Sequence, residues 1–189
     1  MKVIAIIGES SAGKNAIQNI LAKDFNFHTM VSVTTRPPRQ NEKNSIDYYF
    51  IKDSIFDNLI KDNNLIEHRE YKTIFNNEEA IWRYGLEKAE IKEDKTNLVI
   101  VDNKGLKELK EYFKDNLISI YITAPLEDRK VRAKARDKNF EEAEFNRRAL
   151  DDAIIFKNAK SEVDLYIHNL DLYECISRVK SFLKEKSIV

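Results

Sequence analysis

Two glycines and a lysine near the start of the chain have the spacing of a phosphate-binding loop. Gly8 and Gly13 lie five positions apart, and Lys14 follows directly. This is the G-x-x-x-x-G-K pattern of the P-loop, in which successive backbone N–H groups converge on phosphate oxygens and the lysine adds positive charge. The chain has 4 glycines in 189 residues, whereas average usage would give roughly 13. An ordinary strand-to-helix turn needs one glycine, so the pair indicates a nucleotide-binding loop.

The position after the lysine holds Asn15, where this motif normally has Ser or Thr. The usual hydroxyl group contacts Mg²⁺, and an asparagine amide oxygen can ligate the same metal or accept from a metal-bound water. We therefore expect ATP as the ligand, Mg²⁺ as its cofactor, and Asn15 as a weak metal contact. The loop residues predicted to bind ATP are Gly8, Ser10, Ser11, Ala12, Gly13, Lys14 and Asn15.

A second candidate anion site follows at residues 34–39. Arg36 and Arg39 lie three positions apart, with two prolines between them. A planar guanidinium group matches phosphate in a bidentate way, and proline reduces the entropy that such a segment loses when it is ordered. Tyr48 can supply a hydroxyl group to the same phosphate. Taken alone, the segment fits a solvated turn with passive surface arginines better, but the preceding P-loop favours phosphate binding.

The segments around these residues alternate between strand-like and helical patterns. Short apolar or β-branched runs predict strands at 3–7, 30–33, 48–51, 65–70, 98–101, 117–122 and 163–167. Helical spacing predicts helices at 15–23, 55–61, 104–113, 140–159 and 172–183, and Pro125 can open another. Residues 71–83 fit neither pattern clearly. The alternation predicts an α/β fold with a mostly parallel central sheet flanked by helices.

Composition argues against several other classes of protein. A chain of 189 residues fits one domain, and its 32 basic and 32 acidic residues give no positive field for nucleic acid. No apolar run approaches the roughly 18 residues that span a bilayer. Cys175 is the only cysteine and the histidines are scattered, so we expect no disulfide and no metal cluster. The start of the chain shows no signal-peptide pattern, which predicts a cytoplasmic protein. We expect neither nucleic acid nor membrane as a partner, and protein partners are not predicted.

Together these motifs resemble those of the guanylate kinase family, in the same order and over nearly the whole chain. The matching segments after the P-loop are 32–39, 47–50, 65–67, 84–85, 101–105, 124–125, 147–148 and 168–171, with Glu42, Arg132 and Arg136. The Thr-Thr-Arg-Pro-Pro-Arg run at 34–39 is much more specific than the P-loop, which many unrelated enzymes share.

The resemblance implies a P-loop kinase fold in three parts. The core would comprise residues 1–33 and 96–189, with a small inserted subdomain for the nucleoside monophosphate (NMP) at 34–95 and a lid at 126–148. The implied enzyme transfers the γ-phosphate of ATP to GMP or dGMP, giving ADP and GDP or dGDP. Its implied partners are small-molecule nucleotides.

The resemblance also implies roles for individual residues. The implied contacts of the GMP phosphate are Arg36, Arg39, Tyr48 and Tyr84, and those of the base are Ser32, Glu67 and Asp102. The implied catalytic residues are Lys14, Arg36, Arg132, Arg136 and Arg148, and Asn169 matches the adenine-side loop. The chemistry agrees for Glu67, because a carboxylate can accept from the two N–H groups on the Watson–Crick edge of guanine, a pair that adenine does not offer.

Four features depart from the family pattern. Besides Asn15, Leu86 stands where the family usually has Ser or Thr, and Ile100 stands where a carboxylate often lies near the metal. The stretch between Glu67 and Tyr84 is also longer than usual. Two alternatives therefore stay open. One is a kinase of the same fold that acts on another nucleoside monophosphate or small phosphorylated acceptor, and the other is a non-catalytic guanylate-kinase-like module that binds a protein.

Overall fold

The computed structural model describes residues 1–39, 42–75, 78–138 and 140–189, and of residues 73 and 74 the backbone alone. Its strands are β1 (Val3–Ile7), β2 (His28–Thr29), β3 (Val33–Thr34), β4 (Tyr49–Phe50), β5 (Leu65–Phe75), β6 (Glu78–Glu87), β7 (Asn97–Ile100), β8 (Leu117–Thr123) and β9 (Leu165–His168). Its helices are α1 (Lys14–Phe25), α2 (Asp53–Lys61), α3 (Asn103–Phe113), α4 (Leu126–Arg136), α5 (Glu142–Ile155) and α6 (Leu172–Glu185). Among the described residues, no helix combines the length and the apolar content that a membrane crossing requires.

The central sheet has the strand order β2-β7-β1-β8-β9, and every neighbouring pair in it is parallel. β1 lies in the middle and is buried along its whole length. Ile4 and Ile6 belong to the core cluster formed with α1 and α6, whereas Val3, Ala5 and Ile7 belong to the cluster formed with α3. Successive side chains of a strand point to opposite faces, so helices must cover both. The predicted α/β fold with a mostly parallel central sheet is confirmed.

A second sheet has the order β4-β3-β6-β5. Its largest part is the antiparallel pair of β5 and β6, which includes residues 71–75 and 78–83 of the stretch that the sequence pattern left unassigned. Cross-strand contacts support this pair, as in the edge-on packing of Phe75 and Trp82 with ring centroids 5.8 Å apart. The pairing register shifts between Leu65 and Glu67, which marks a β-bulge.

The prediction of a single strand at 30–33 is wrong. β2 ends before this run and belongs to the central sheet, whereas β3 begins at Val33 and belongs to the second sheet. Between them, the N–H of Val31 donates to the carboxylate of Glu90 at 2.9 Å. The run reads as one apolar segment because Met30 is buried in one core cluster and Val33 in another.

The predicted helix at 140–159 is shorter in the structure, where α5 covers Glu142–Ile155. The chain turns after α5, and the ring of Phe156 stacks on that of Tyr121 with centroids 5.5 Å apart. Ala159 then starts a short 3₁₀ turn and is fully buried. Tertiary packing therefore ends the helix at Ile155, before the end of the charged helical pattern in the sequence.

Candidate active site

The first candidate site is the loop at residues 8–13, here called the phosphate loop, which joins β1 to the N-terminus of α1. Gly8 and Gly13 have φ values of 143° and 101°, in the left-handed region that other residues rarely adopt. A Cβ at Gly8 would collide with the carbonyl oxygen of Ile122, and one at Gly13 with the side chain of Asn169. Backbone conformation and space therefore both require glycine at these positions.

Lys14 folds back over the phosphate loop. Its Nζ donates to the carbonyl oxygens of Gly8 (2.7 Å) and Glu9 (2.8 Å). Burial lowers the pKa of Lys14 to about 8, while the carboxylates of Asp152 and Glu9 oppose the shift and the charge of Arg136 adds to it. The ammonium group is thus held at the loop in surroundings that disfavour its charge. A bound polyanion would stabilise it.

Two carboxylates hold the phosphate loop in place, and the sequence patterns identified neither. Asp152 on α5 accepts from the backbone N–H of Ser10 at 2.7 Å. Glu9 accepts from the hydroxyl groups of Tyr121 (2.7 Å) and Thr123 (3.1 Å) on β8. Glu9 could have been noticed as an acidic residue inside the P-loop motif. Asp152 lies 142 positions from Ser10, so no local pattern points to it.

Asn169 and Arg132 support the far end of the phosphate loop. Asn169 is buried, and its side-chain amide donates to the carbonyl oxygen of Ala12 at 2.8 Å. Arg132 on α4 donates to the carbonyl oxygens of Asn169 (2.7 Å) and Ala12 (3.3 Å). The structure thus places both residues against the loop.

The second candidate site is the segment after β3, and Glu42 organises it. Glu42 accepts from both terminal nitrogens of Arg36, at 2.9 and 3.0 Å, and from the backbone N–H of Arg39 at 2.8 Å. Arg36 is 3% exposed and lies 5.5 Å from the ring centroid of Tyr48. The Nε of Arg36 is buried and has no partner among the described residues, so a donor remains for an anion. Glu42 has no role predicted from the sequence, although it orients both arginines.

Tyr84 and Ser32 lie beside this segment. Tyr84 on β6 pairs with Thr34 of β3, and its ring meets that of Tyr48 edge-on at 5.9 Å. The carbonyl oxygen of Ser32 accepts from the N–H of Tyr49 at 2.9 Å. Burial, and next the proximity of Tyr84, raise the pKa of Tyr48. The hydroxyl group of Tyr48 therefore stays protonated at neutral pH and can donate to a phosphate.

Helix α5 connects the two candidate sites. Desolvation, and next the charge of Arg148, lower the pKa of Arg39, so the charge of α5 at Arg148 acts on the second site. Asp152 contacts the phosphate loop and opposes the lowering of the Lys14 pKa. Arg148 and Asp152 are four positions apart on α5, which is about 6 Å along the helix axis. The charged groups that act on Lys14 and on Arg39 therefore lie on successive turns of one helix.

The long β5–β6 pair also reaches α5. The hydroxyl group of Tyr71 donates to the carboxylate of Asp151 and accepts from the guanidinium group of Arg147, both at 3.0 Å. Tyr71 thus links the second sheet to the helix that carries Arg148 and Asp152.

A third group combines two carboxylates with an arginine. Arg69 donates from Nη1 to Glu67 at 2.6 Å, and its Nε lies 2.9 Å from Asp102. Asp102 also caps α3 by accepting from the N–H of Gly105 at 2.9 Å. Burial raises the pKa of Glu67 to about 7; Arg69 opposes this shift, while Asp102 and Glu108 add to it. Glu67 and Asp102 were predicted from the sequence, whereas Arg69, a charged residue in the strand that carries Glu67, was not.

Two of the residues that depart from the family pattern are packing residues. Leu86 is fully buried in the core cluster that includes α3. Ile100 packs, partly buried, against the cluster that includes α1. The side chains of Leu86 and Ile100 therefore contribute to the packing of the hydrophobic core.

A P-loop on a parallel sheet, joined through one helix to a cluster of arginines, defines a phosphotransferase of the nucleoside-monophosphate kinase class. The chain belongs to the guanylate kinase family, whose model, described as "Guanylate kinase", matches residues 1–186. Guanylate kinases of Zymomonas mobilis subsp. mobilis and Malacoplasma penetrans are each 31% identical to it, over 98% of this chain and 84% and 93% of their own lengths. The crystal structure of guanylate kinase from Anaplasma phagocytophilum has the same fold, with a TM-score of 0.71 and 24% identity over 100% of this chain and 87% of that one.

Proposed function

We propose that this enzyme transfers the γ-phosphate of ATP to GMP or dGMP, giving ADP and GDP or dGDP. The observation that carries the proposal is the position of α5, which places Asp152 on the phosphate loop. One turn earlier on the same helix, the charge of Arg148 lowers the pKa of Arg39 in the second site. Transfer between two nucleotides needs two polyanion sites held close together in a fixed geometry. The family membership of the chain supports the same activity.

The reaction depends on positioning and electrostatic stabilisation, because the acceptor phosphate is already an anion and no proton has to be removed from it. In this proposal, ATP is held by Gly8, Ser10, Ser11, Ala12, Gly13, Lys14, Asn15 and Asn169. GMP is held by Ser32, Arg36, Arg39, Tyr48, Glu67, Tyr84 and Asp102. Lys14, Arg36, Arg132, Arg136 and Arg148 stabilise the charge of the transferring phosphate.

The residues at the phosphate loop fit Mg²⁺ that is bound together with ATP. Mg²⁺ commonly takes one or two protein oxygens, with substrate phosphates and waters as its other ligands. Asn15, exposed in the first turn of α1, offers an amide oxygen, and the carboxylates of Glu9 and Asp152 lie near Lys14. When bound, the metal would neutralise charge on the phosphates. Among the described residues, no three His, Cys, Asp or Glu side chains are grouped to hold an ion without a substrate.

The same proposal assigns parts of the chain to steps of the reaction. Residues 34–95 would form the NMP-binding subdomain, 126–148 the lid, and 1–33 with 96–189 the core. Closure of the subdomain and the lid over the substrates would exclude water that could otherwise hydrolyse ATP. We also propose a cytoplasmic location, because the reaction draws on the free nucleotides of the cell.

A coupled assay of ADP release tests the proposal. ATP and Mg²⁺ are supplied with GMP, dGMP, AMP, CMP, UMP or dTMP in turn, and GMP or dGMP should give the highest kcat/KM. An enzyme that turns over none of these acceptors would refute the proposal.

A second candidate is a kinase of the same fold with another phosphorylated acceptor. The observation in its favour is Arg69, which occupies oxygens of Glu67 and Asp102 that a guanine base would use. Protection against thermal unfolding by GMP, without protection by sugar phosphates, would argue against it. A non-catalytic module would have no need of a complete phosphate loop, so ATP binding that is lost in Lys14→Ala would argue against that alternative.

Replacing Asn15 by serine is expected to keep the rate or to raise it by up to about tenfold, because a hydroxyl group is the usual metal contact at this position. The measurement is kcat with ATP over a titration of Mg²⁺. Asn19→Ser, at an exposed position of the same helix, is the matched control and should match the unmodified enzyme. A large loss of activity in Asn15→Ser would show that the amide has another role.

The value of kcat/KM for GMP is expected to rise with pH up to about 7. Burial raises the pKa of Glu67 to about 7, so below that pH the carboxyl group of the free enzyme is protonated and a lone pair for the base is lost. The decrease should approach about tenfold per pH unit, because kcat/KM reports the free enzyme. Glu67→Gln should lack this dependence, apart from the titration of the nucleotide itself. The same pH profile in both enzymes would show that Glu67 does not titrate in base binding.

A further inference from the structure

We propose that Arg69 is a specificity-determining residue. Because of it, the base pocket would accept a hydrogen bond from one N–H donor of the acceptor base rather than from two. The inference rests on the proposed function and names its substrate class. This class is the purine nucleoside monophosphates with an N1–H group, whether or not they carry a 2-amino group. Inosine monophosphate (IMP) should therefore be an acceptor comparable to GMP.

The position of Arg69 on β5 brings it to both carboxylates. Glu67 and Arg69 are two positions apart on this strand, so their side chains project from the same face. The β-bulge immediately before Glu67 sets the direction of that face. α3 begins against it, with Asp102 as the N-cap and with the carboxylate of Glu108 accepting from the N–H of His68 at 3.1 Å.

Arg69 is fitted tightly against the start of α3. A Cβ on Gly105 would lie 2.6 Å from Nη1 of Arg69, so the guanidinium group occupies space that is open only because residue 105 is glycine. The side chain of Arg69 is 20% exposed, whereas that of Glu67 is fully buried. Arg69 is therefore a fixed part of the pocket wall and not a mobile surface residue.

The four carboxylate oxygens of Glu67 and Asp102 differ in what remains free for a ligand. Arg69 occupies Oε2 of Glu67 and Oδ2 of Asp102, and the N–H of Gly105 occupies Oδ1 of Asp102. Oε1 of Glu67 is buried and has no partner among the described residues. A buried oxygen without a donor is costly, which points to a ligand N–H at this atom.

A single carboxylate oxygen without a partner changes which purine bases the pocket can distinguish. Guanine offers two adjacent donors, N1–H and the 2-amino group, whereas hypoxanthine offers N1–H alone. Adenine offers no N1–H. Discrimination is strong where a site holds a partner for every donor, because the missing group then leaves a buried atom unpaired. With Arg69 on Oε2, the 2-amino group would have to share an oxygen that already accepts from a cation, so its absence costs less than the loss of an oxygen of its own.

The test compares the binding of GMP, IMP and AMP by calorimetry in the full-length enzyme and in Arg69→Ala. The unmodified enzyme should bind GMP and IMP with dissociation constants within about fivefold of each other, and AMP more weakly than either. Arg69→Ala frees oxygens for the 2-amino group and should raise the preference for GMP over IMP by about tenfold or more. Lys72→Ala removes the same charge from an exposed position on the opposite face of β5, and should leave the preference unchanged.

A second variant keeps the arginine but displaces it. In Gly105→Ala the new Cβ would push against Nη1, so the preference for GMP should rise in the same direction. This result would stand even if Arg69→Ala failed to fold. A preference for GMP over IMP of a hundredfold or more in the unmodified enzyme, or the same preference in all the variants, would overturn the inference. Kinase activity is measured separately. If the enzyme phosphorylates GMP but gives these outcomes, only the proposed role of Arg69 is wrong. If the enzyme neither binds nor phosphorylates GMP and IMP, the proposed function is wrong as well.

Discussion

Replacing Lys14 by alanine is expected to lower kcat by about 10²–10³-fold, because one preorganised donor at a developing charge contributes about that much. Nζ of Lys14 already lies on the phosphate loop, where it bonds to Gly8 and Glu9. Its charge would stabilise the triphosphate of ATP and the phosphate in transfer. The affinity for ATP should fall as well, since charge-assisted hydrogen bonds are lost. ADP release at saturating GMP, over a titration of ATP, gives both effects.

Lys23→Ala is the matched control for this experiment, since Lys23 is exposed near the end of the same helix. It should retain the activity of the unmodified enzyme. Lys14→Ala should remain folded, because burial lowers the pKa of Lys14 and removing the charge relieves an unfavourable environment. Circular dichroism and the melting temperature check this point. Activity within tenfold of the unmodified enzyme in folded Lys14→Ala would contradict the role of the phosphate loop.

Replacing Arg36 by methionine is expected to lower kcat/KM for GMP by about 10²–10³-fold and to leave KM for ATP unchanged. The two terminal nitrogens of Arg36 donate to the carboxylate of Glu42, and the buried Nε of Arg36 is available for the acceptor phosphate. A charge-assisted contact to that phosphate has no substitute in a thioether. The substitution should also reduce the free energy of unfolding by about 3 kcal/mol, because the carboxylate of Glu42 loses its two short hydrogen bonds to a buried counter-charge and keeps only its contacts with Arg39.

Adding Glu42→Gln to the Arg36→Met enzyme separates the two effects. A neutral amide needs no counter-charge, so the melting temperature should recover in part, while kcat/KM for GMP should stay low. Chemical denaturation and the coupled assay are run on both enzymes. If activity recovered together with stability, Arg36 would be a structural residue only, and its proposed role at the acceptor phosphate would be wrong.

The sequence predicted the fold best where one pattern matched one physical requirement. β1 was predicted at its observed bounds because a central parallel strand, buried on both faces, is continuously apolar. The β5–β6 pair was missed at 71–75 and 78–83 because the described side chains there are largely polar or exposed, so that cross-strand pairing and not burial defines it. The run at 30–33 was misassigned because its two ends are buried in different clusters.

The sequence by itself determined the phosphate loop, since Gly8, Gly13 and Lys14 are close in the chain and their chemistry is local. It also determined the candidate arginines after β3 and, through the order of the motifs, the family. Only the tertiary structure decided which side chains hold these groups. Asp152 lies on the phosphate loop, Glu42 between Arg36 and Arg39, and Arg69 between Glu67 and Asp102. The reason is physical: a carboxylate is positioned by whichever donors the packed elements bring within about 3 Å. Sequence spacing does not encode that distance when the partners belong to different elements.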